Sequence, residues 1–153
     1  METKDVIADI RKSRGMTQDD MAARLFVTRQ AVSRWESGET TPNIETLKAI
    51  SKEFNVSANT LLNLPDGAVC QSCGMDLTKV EDFGTTEADG AHTDYCRYCM
   101  QKGAFTHNRS IDEQVELNLH FLDEYNAAKR LTFTSDEARR ELKTHLAGLK
   151  RWR

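Results

Sequence analysis

All four cysteines of this 153-residue chain fall in two pairs of identical spacing, Cys70-Gln-Ser-Cys73 and Cys96-Arg-Tyr-Cys99, with 22 residues between them. A Cys-x-x-Cys pair sets two sulfurs on one tight turn. Two such pairs supply four thiolates that can close a tetrahedral zinc site, and closed four-ligand sites are structural. Cys70, Cys73, Cys96 and Cys99 are therefore the expected ligands of one structural Zn²⁺. Disulfides are disfavoured in the cytosol, and redox use of either pair is disfavoured because both lie in one small segment without a strand-helix-strand pattern. His92 and His107 are near in sequence, but a four-sulfur set needs neither. Four thiolates around Zn²⁺ leave about −2 on the site, which Arg97, Lys102 and Arg109 are placed to offset.

A second group of side chains has the chemistry to read DNA. Arg can donate two bonds to guanine O6 and N7, and Gln can pair bidentately with adenine. Arg29, Gln30, Ser33 and Arg34 present such groups within six residues. They can read base edges only if a rigid helix holds them on one face.

The stretch TQDDMAARLFVTRQAVSRWESG, from Thr17 to Gly38, reads as two short helices joined by a tight turn. Thr17 caps the first, Asp19 and Asp20 sit at its positive end, and Met21, Ala22 and Leu25 share one face. Thr28 caps the second, which runs from Arg29 to about Ser37 with Val32 and Trp35 inward and Gly38 ending it. Before this pair, residues 3 to 14 form an amphipathic helix with Val6, Ile7 and Ile10 inward. After it, Asn43 caps a helix bearing Ile44, Leu47, Ile50, Ser51 and Phe54, and Ser57 caps a short last helix ending in Leu61, Leu62 and Leu64. Leu64-Pro-Asp-Gly67 punctuates the end, so the expected domains are 1–66 and 67–153.

Around the cysteines, Asp89-Gly90 marks a hairpin turn between short strands at Phe83 to Glu87 and His92 to Tyr95, and Gly74 lets backbone amides turn toward the sulfurs. Cys-x-x-Cys, hairpin, Cys-x-x-Cys is a zinc ribbon. Two amphipathic helices follow. Ser110 and Glu113 form a capping box ahead of Ile111, Val115, Leu119, Leu122 and Tyr125. Ser135 is the expected cap of the second, in which Ala138, Leu142, Leu146, Leu149 and Trp152 step by three or four. These helices either pair with each other over the ribbon, or also meet a second chain through Leu119, Leu122, Leu149 and Trp152. Lys150, Arg151 and Arg153 read as a favourable helix C-terminus, with a phosphate contact as the alternative. The expected fold class is mainly α: five N-terminal helices, a small ribbon with a short β-hairpin, and two closing helices.

The segment from about Asp5 to Leu64 resembles the lambda-repressor-like helix-turn-helix family of bacterial and phage regulators. The residues carrying the likeness are Ile7, Ile10, Arg11, Met16-Thr17-Gln18, Ala22, Arg29-Gln30-Ala31-Val32-Ser33, Trp35-Glu36, Gly38, Pro42 and Leu47. The resemblance implies that the helix from Arg29 lies in the major groove while the preceding helix crosses the backbone. It implies that Gln18 and Thr28 hold phosphates and that Arg29, Gln30, Ser33 and Arg34 face bases. One position departs, because Phe26 stands where the family often has Gly; a left-handed backbone there costs about 1 to 2 kcal/mol. The motifs Cys70-Gln-Ser-Cys73-Gly-Met, Phe83-Gly-Thr, Asp89-Gly90, Tyr95-Cys96-Arg-Tyr-Cys99, Gly103-Ala-Phe-Thr106 and Leu149-Lys-Arg-Trp152 resemble a bacterial zinc-ribbon domain covering residues 68–153.

Charge restrains this reading. Residues 1–66 hold nine Lys and Arg against ten Asp and Glu, so strong nonspecific binding through phosphate neutralisation is not expected. A local basic face from Arg11, Arg14, Arg24, Arg29 and Arg34, and a second copy of the domain, would have to supply the affinity. No apolar stretch of about 18 residues and no basic-then-apolar leader is present, which predicts a soluble, cytoplasmic protein without a membrane segment. The function expected from the sequence is sequence-specific binding of double-stranded DNA by a homodimeric transcriptional regulator, a repressor on a palindromic operator, with the ribbon half serving assembly or signal reception. Two rival readings are an antitoxin-like or adaptor protein that binds a protein partner through residues 67–153, and a thiol-based redox sensor. No enzyme is expected, because a four-thiolate site has no open coordination position and no nucleophile-base pair is apparent.

Overall fold

The computed structural model describes residues 1–153. Five helices come first: α1 (Thr3–Ser13), α2 (Gln18–Leu25), α3 (Arg29–Ser37), α4 (Ile44–Phe54) and α5 (Ala58–Leu62). Their starts are set by side chains that accept free backbone N–H groups: Thr17 from Asp20, Thr28 from Ala31, Asn43 from Thr46 and Ser57 from Thr60. Four of the five end in a left-handed or near-left-handed turn, and at Phe26 (φ 56°) the strain expected of a non-glycine is present. Val6, Ile7, Ile10, Met21, Ala22, Leu25, Val32, Trp35, Leu47, Ile50, Phe54 and Leu61 meet in one core. The apolar faces expected from helical spacing are the buried ones.

The ribbon consists of two hairpins. Strands β1 (Phe83–Thr85) and β2 (Ala91–Cys96) pair antiparallel, with Asp89 at φ 60° in the turn between them. Strands β3 (Met100–Gln101) and β4 (Ala104–Phe105) form a second hairpin around Lys102 and Gly103, both at positive φ. That hairpin was not expected, since two-residue strands carry no measurable alternation. Gly84 sits where the hairpins cross. A Cβ there would lie 2.4 Å from the Met100 carbonyl oxygen, so only glycine allows the approach.

Helices α6 (Ile111–Leu119), α7 (Leu122–Lys129) and α8 (Ser135–Ala147) close the chain, followed by a single 3₁₀ turn at Lys150–Trp152. The first expected helix thus breaks in two around His120 and Phe121. The cap of α8 is Thr134 rather than Ser135: its hydroxyl accepts from the Glu137 N–H, and Ser135 is the first helical residue. Val115, Leu146 and Leu149 form a small core between α6 and α8, with Val69, Ile111, Leu119, Leu142 and Trp152 around it. The closing helices therefore pair with each other and cover the ribbon. The main core does not stop at the ribbon, because Cys70, Leu77, Val80, Phe83, Cys96 and Cys99 continue it from the N-terminal helices. The Ile44 N–H at the start of α4 donates to the Asp89 carbonyl in the β1–β2 turn at 2.7 Å. No helix is long and apolar enough to cross a membrane.

Candidate metal centre and nucleic-acid interface

The ribbon turns bring the four cysteine sulfurs within 4.8 Å of one another. Sulfurs about 2.3 Å from a shared tetrahedral centre would stand about 3.8 Å apart, and the Cys73 and Cys96 sulfurs are 3.7 Å apart. Cys70, Cys96 and Cys99 are buried, so four soft donors converge in a pocket closed to solvent on most sides. Hydrogen bonds led by Cys73 hold the Cys70 thiol down to about 7, and others led by Cys70 hold the Cys99 thiol below the usual thiol range. Cys73 and Cys96 are pushed up, each first through its bond to Cys70. With all four deprotonated, the set would carry a buried negative charge that a bound cation offsets. The chemistry fits one structural zinc ion, which would hold the two Cys-x-x-Cys turns together.

Two expectations about the surroundings need correction. The Gly74 N–H donates to the Cys70 carbonyl at 2.9 Å rather than to a sulfur; its role is the positive φ of 77° that closes the turn. The backbone amide found on a sulfur is that of Cys96, 3.2 Å from the Cys70 Sγ. Arg97, Lys102 and Arg109 are engaged elsewhere, with the Tyr98 hydroxyl, Asp89 and Gln114 respectively. Sequence reasoning missed the groups that do clasp the first cysteine turn. The Trp152 indole N–H donates to the Ser72 carbonyl at 2.7 Å, Arg151 donates to the Ser72 hydroxyl at 2.9 Å, and Asn118 donates to the Cys73 carbonyl at 2.8 Å. Lys150 pairs with Asp94 at 2.8 Å. The basic C-terminus is thus a clamp on the ribbon, not a simple helix end, and only the Leu149-Lys-Arg-Trp152 motif hinted at it.

In the helical part, α3 buries Val32 and Trp35 and exposes Arg29, Gln30, Ser33 and Arg34, with Thr28 exposed at its N-cap. Gln18 opens α2 and lies half-buried. One of its amide hydrogens is held by the Glu36 carboxylate at 3.1 Å. Glu36 also accepts a fork from Arg11, at 2.5 and 3.1 Å. Arg11 and Arg14 therefore leave the expected basic face: the first neutralises Glu36, and the second caps the Phe54 carbonyl at 2.7 Å while lying 5.5 Å over the Phe54 ring. Arg24, Arg29 and Arg34 remain for it, and Arg14, though exposed, has its guanidinium engaged. The Glu36 network joins α1, α2 and α3, and no periodicity in the sequence signals it.

Residues 69–153 match the family described as "Putative zinc ribbon domain", and residues 7–61 match the family described as "Helix-turn-helix". The HTH-type transcriptional activator BcrR of Enterococcus faecalis is similar to this chain, 43% identical over 63 residues. That stretch covers 41% of this chain and 31% of the relative, so the chain spans less than a third of the relative's length. No solved structure matches.

Proposed function

Because the chain belongs to the zinc-ribbon family and carries a helix-turn-helix ahead of its ribbon, we propose that it is a sequence-specific DNA-binding transcriptional regulator of the cytoplasm. The observation that carries this reading is α3, whose apolar side is wholly buried while Arg29, Gln30, Ser33 and Arg34 stand in solvent on its opposite side. In a major groove, Arg29 and Gln30 make bidentate contacts to bases, Ser33 and Arg34 extend them, and Gln18 and Thr28 hold flanking phosphates. Residues 1–66 are the DNA-binding unit and 67–153 the assembly unit, built on zinc held by Cys70, Cys73, Cys96 and Cys99.

One recognition helix reads few base pairs, at about 1 to 3 kcal/mol for each good bidentate contact. Selectivity then comes from a homodimer on a palindrome with half-sites about one helical turn apart. Leu119, Leu149 and Trp152 are used within the chain, so the second copy meets different side chains: Leu117, Phe121, Tyr125 and Leu131 are the large apolar groups left in solvent along α6 and α7. Repression needs only operator occupancy, and we keep it as the proposed mode. Activation, the role in the relative's name, would need a further surface for the transcription machinery.

Selection of bound sequences from random duplex DNA tests the reading. The wild type should return a two-fold symmetric site, while Arg29→Ala and Gln30→Ala should keep the fold by circular dichroism and lose discrimination at one or two base pairs in each half-site. An unchanged preference in both variants would overturn the docking.

A further inference from the structure

Three of the four cysteines are enclosed by the core and one is not. Cys70, Cys96 and Cys99 are no more than 2% exposed, whereas Cys73 is partly open to solvent. Its backbone is held instead by side chains of α6 and the residue that leads into it. The Asn118 amide nitrogen donates to the Cys73 carbonyl at 2.8 Å, the Gln114 amide nitrogen donates to the Asn118 Oδ1 at 2.8 Å, and Nη1 of Arg109 donates to the Gln114 Oε1 at 3.2 Å. Gln114 and Asn118 stand four apart on one face of the helix, which lets the relay run along it.

Both ends of the relay fix its direction. A guanidinium has donors only and a carbonyl oxygen accepts only, so each amide between them takes a bond on its oxygen and gives one from its nitrogen. Turning either amide over would break two of these bonds. Ser72 and Gln114 are the two polar residues buried in this chain, and both serve the first cysteine turn: Ser72 lies within it, and Gln114 is the middle of the relay. Leaving a buried amide unpaired is costly, so Gln114 keeps Asn118 in the one orientation that holds Cys73. The next residue, Gly74, is at φ 77°. The peptide that Asn118 grips is therefore the one that closes the turn and sets where the Cys73 sulfur stands.

We propose that Cys73 is the ligand that detaches first when metal leaves this site, and that Asn118, oriented by Gln114, is a positioning residue that latches it. This rests on the structural zinc site described above. In transfer of the metal to an acceptor, the Zn–S bond to Cys73 breaks, the sulfur turns toward the solvent it borders, and a donor atom of the acceptor takes the open position. The other three sulfurs are enclosed and cannot turn out without opening the core. The lifetime of the bound metal is thus set from α6, outside the cysteine turns.

The test uses the full zinc-loaded chain as wild type, Asn118→Asp, Asn118→Ala and Leu142→Ala. Asn118→Asp keeps the size and the acceptor for Gln114 but sets an oxygen against the Cys73 carbonyl. Asn118→Ala removes the donor without adding charge, and carries the test if the aspartate variant does not fold. Leu142 packs against the apolar core between α6 and α8 and makes no bond of the relay, so Leu142→Ala lowers stability and leaves the latch in place. Zinc transfer to a chromophoric chelator should be about tenfold or more faster in the Asn118 variants, the range seen when an outer-shell partner is lost. In Leu142→Ala it should stay close to the wild-type rate even where the melting temperature falls as far. Limiting iodoacetamide, which forms a C–S bond and releases iodide, should label Cys73 before the other three cysteines in every protein, and sooner in the Asn118 variants. Wild-type transfer rates in the Asn118 variants, equal acceleration by Leu142→Ala at matched melting temperature, or first labelling of Cys70, Cys96 or Cys99 would each overturn the proposal. Failure of the zinc reading itself would be distinct: the purified wild type would hold no metal.

Discussion

Phe26 carries two costs at once. Its backbone is left-handed, with φ 56° and ψ 40°, and its ring is 96% exposed. The first cost falls on any residue with a Cβ, which crowds the following carbonyl in this conformation by about 1 to 2 kcal/mol. Asn tolerates the same backbone through local hydrogen bonding, as Asn55 and Asn63 do at the ends of α4 and α5. Replacing Phe26 by Asn should therefore raise stability by about 1 kcal/mol, or about 2–4 °C in melting temperature for a chain of this size. Thermal unfolding of the zinc-loaded protein checks it, and a lower melting temperature would mean that the ring makes a stabilising contact. The position was legible through the resemblance, since Phe26 stands where the helix-turn-helix family often has Gly. Local spacing also made the four cysteines readable, whereas the contacts of Arg151 with the first cysteine turn had no local signal beyond the Leu149-Lys-Arg-Trp152 motif.

Glu36 shows what happens between elements. Burial pushes its carboxyl up, but hydrogen bonds from Arg11 and Gln18 outweigh burial and hold it below the ordinary 4.5. Both side chains of the Arg11 pair are largely covered, 15% and 11% exposed. Removing one partner of a buried pair leaves the other uncompensated, which costs about 3 kcal/mol. Glu36→Gln should be destabilised by that order at neutral pH. The sign with pH follows from the lowered value: the pair's stability is complete above the unfolded carboxyl's pKa and is lost as pH falls through the folded one. Urea unfolding between pH 7 and pH 3 should show the gap between wild type and Glu36→Gln closing below pH 4.5, and a gap independent of pH would remove the pair from the account. The three helices were readable from their caps and stripes. Their fastening was not, because Arg11, Gln18 and Glu36 lie 18 and 25 residues apart and share no local pattern.

In the whole molecule, the metal site and the helix-turn-helix are parts of one core. Phe83, Val80 and Leu77 of the ribbon bury with α4 residues, and three of the four cysteines belong to the same cluster. Structural zinc contributes about 10 to 16 kcal/mol of apparent binding energy in small domains, so its removal should be felt beyond the ribbon. Chelation, or the double change Cys70→Ser, Cys73→Ser, should abolish zinc content and lower the melting temperature. It should also accelerate amide hydrogen exchange in α4 as well as in β1 and β2. Unchanged protection of α4 would show that the helical part is stable on its own. This coupling would carry a change in the state of the thiolates into α4.

Spacing, caps and cysteine pairs, all of them interactions within a few residues, were sufficient to read the five helices, the ribbon and the metal from the chain alone. Tertiary structure decided what no local rule contains. It paired Arg11 with Glu36 and Arg14 with the Phe54 carbonyl, broke the long C-terminal stripe at His120 and Phe121, merged the ribbon with the helical core, and brought Arg151 and Trp152 back to the first cysteine turn about 80 residues away. The reason is physical: a cap or a helical stripe is satisfied by neighbours in sequence, whereas a buried charge or an unpaired N–H takes whichever partner the packed chain places beside it.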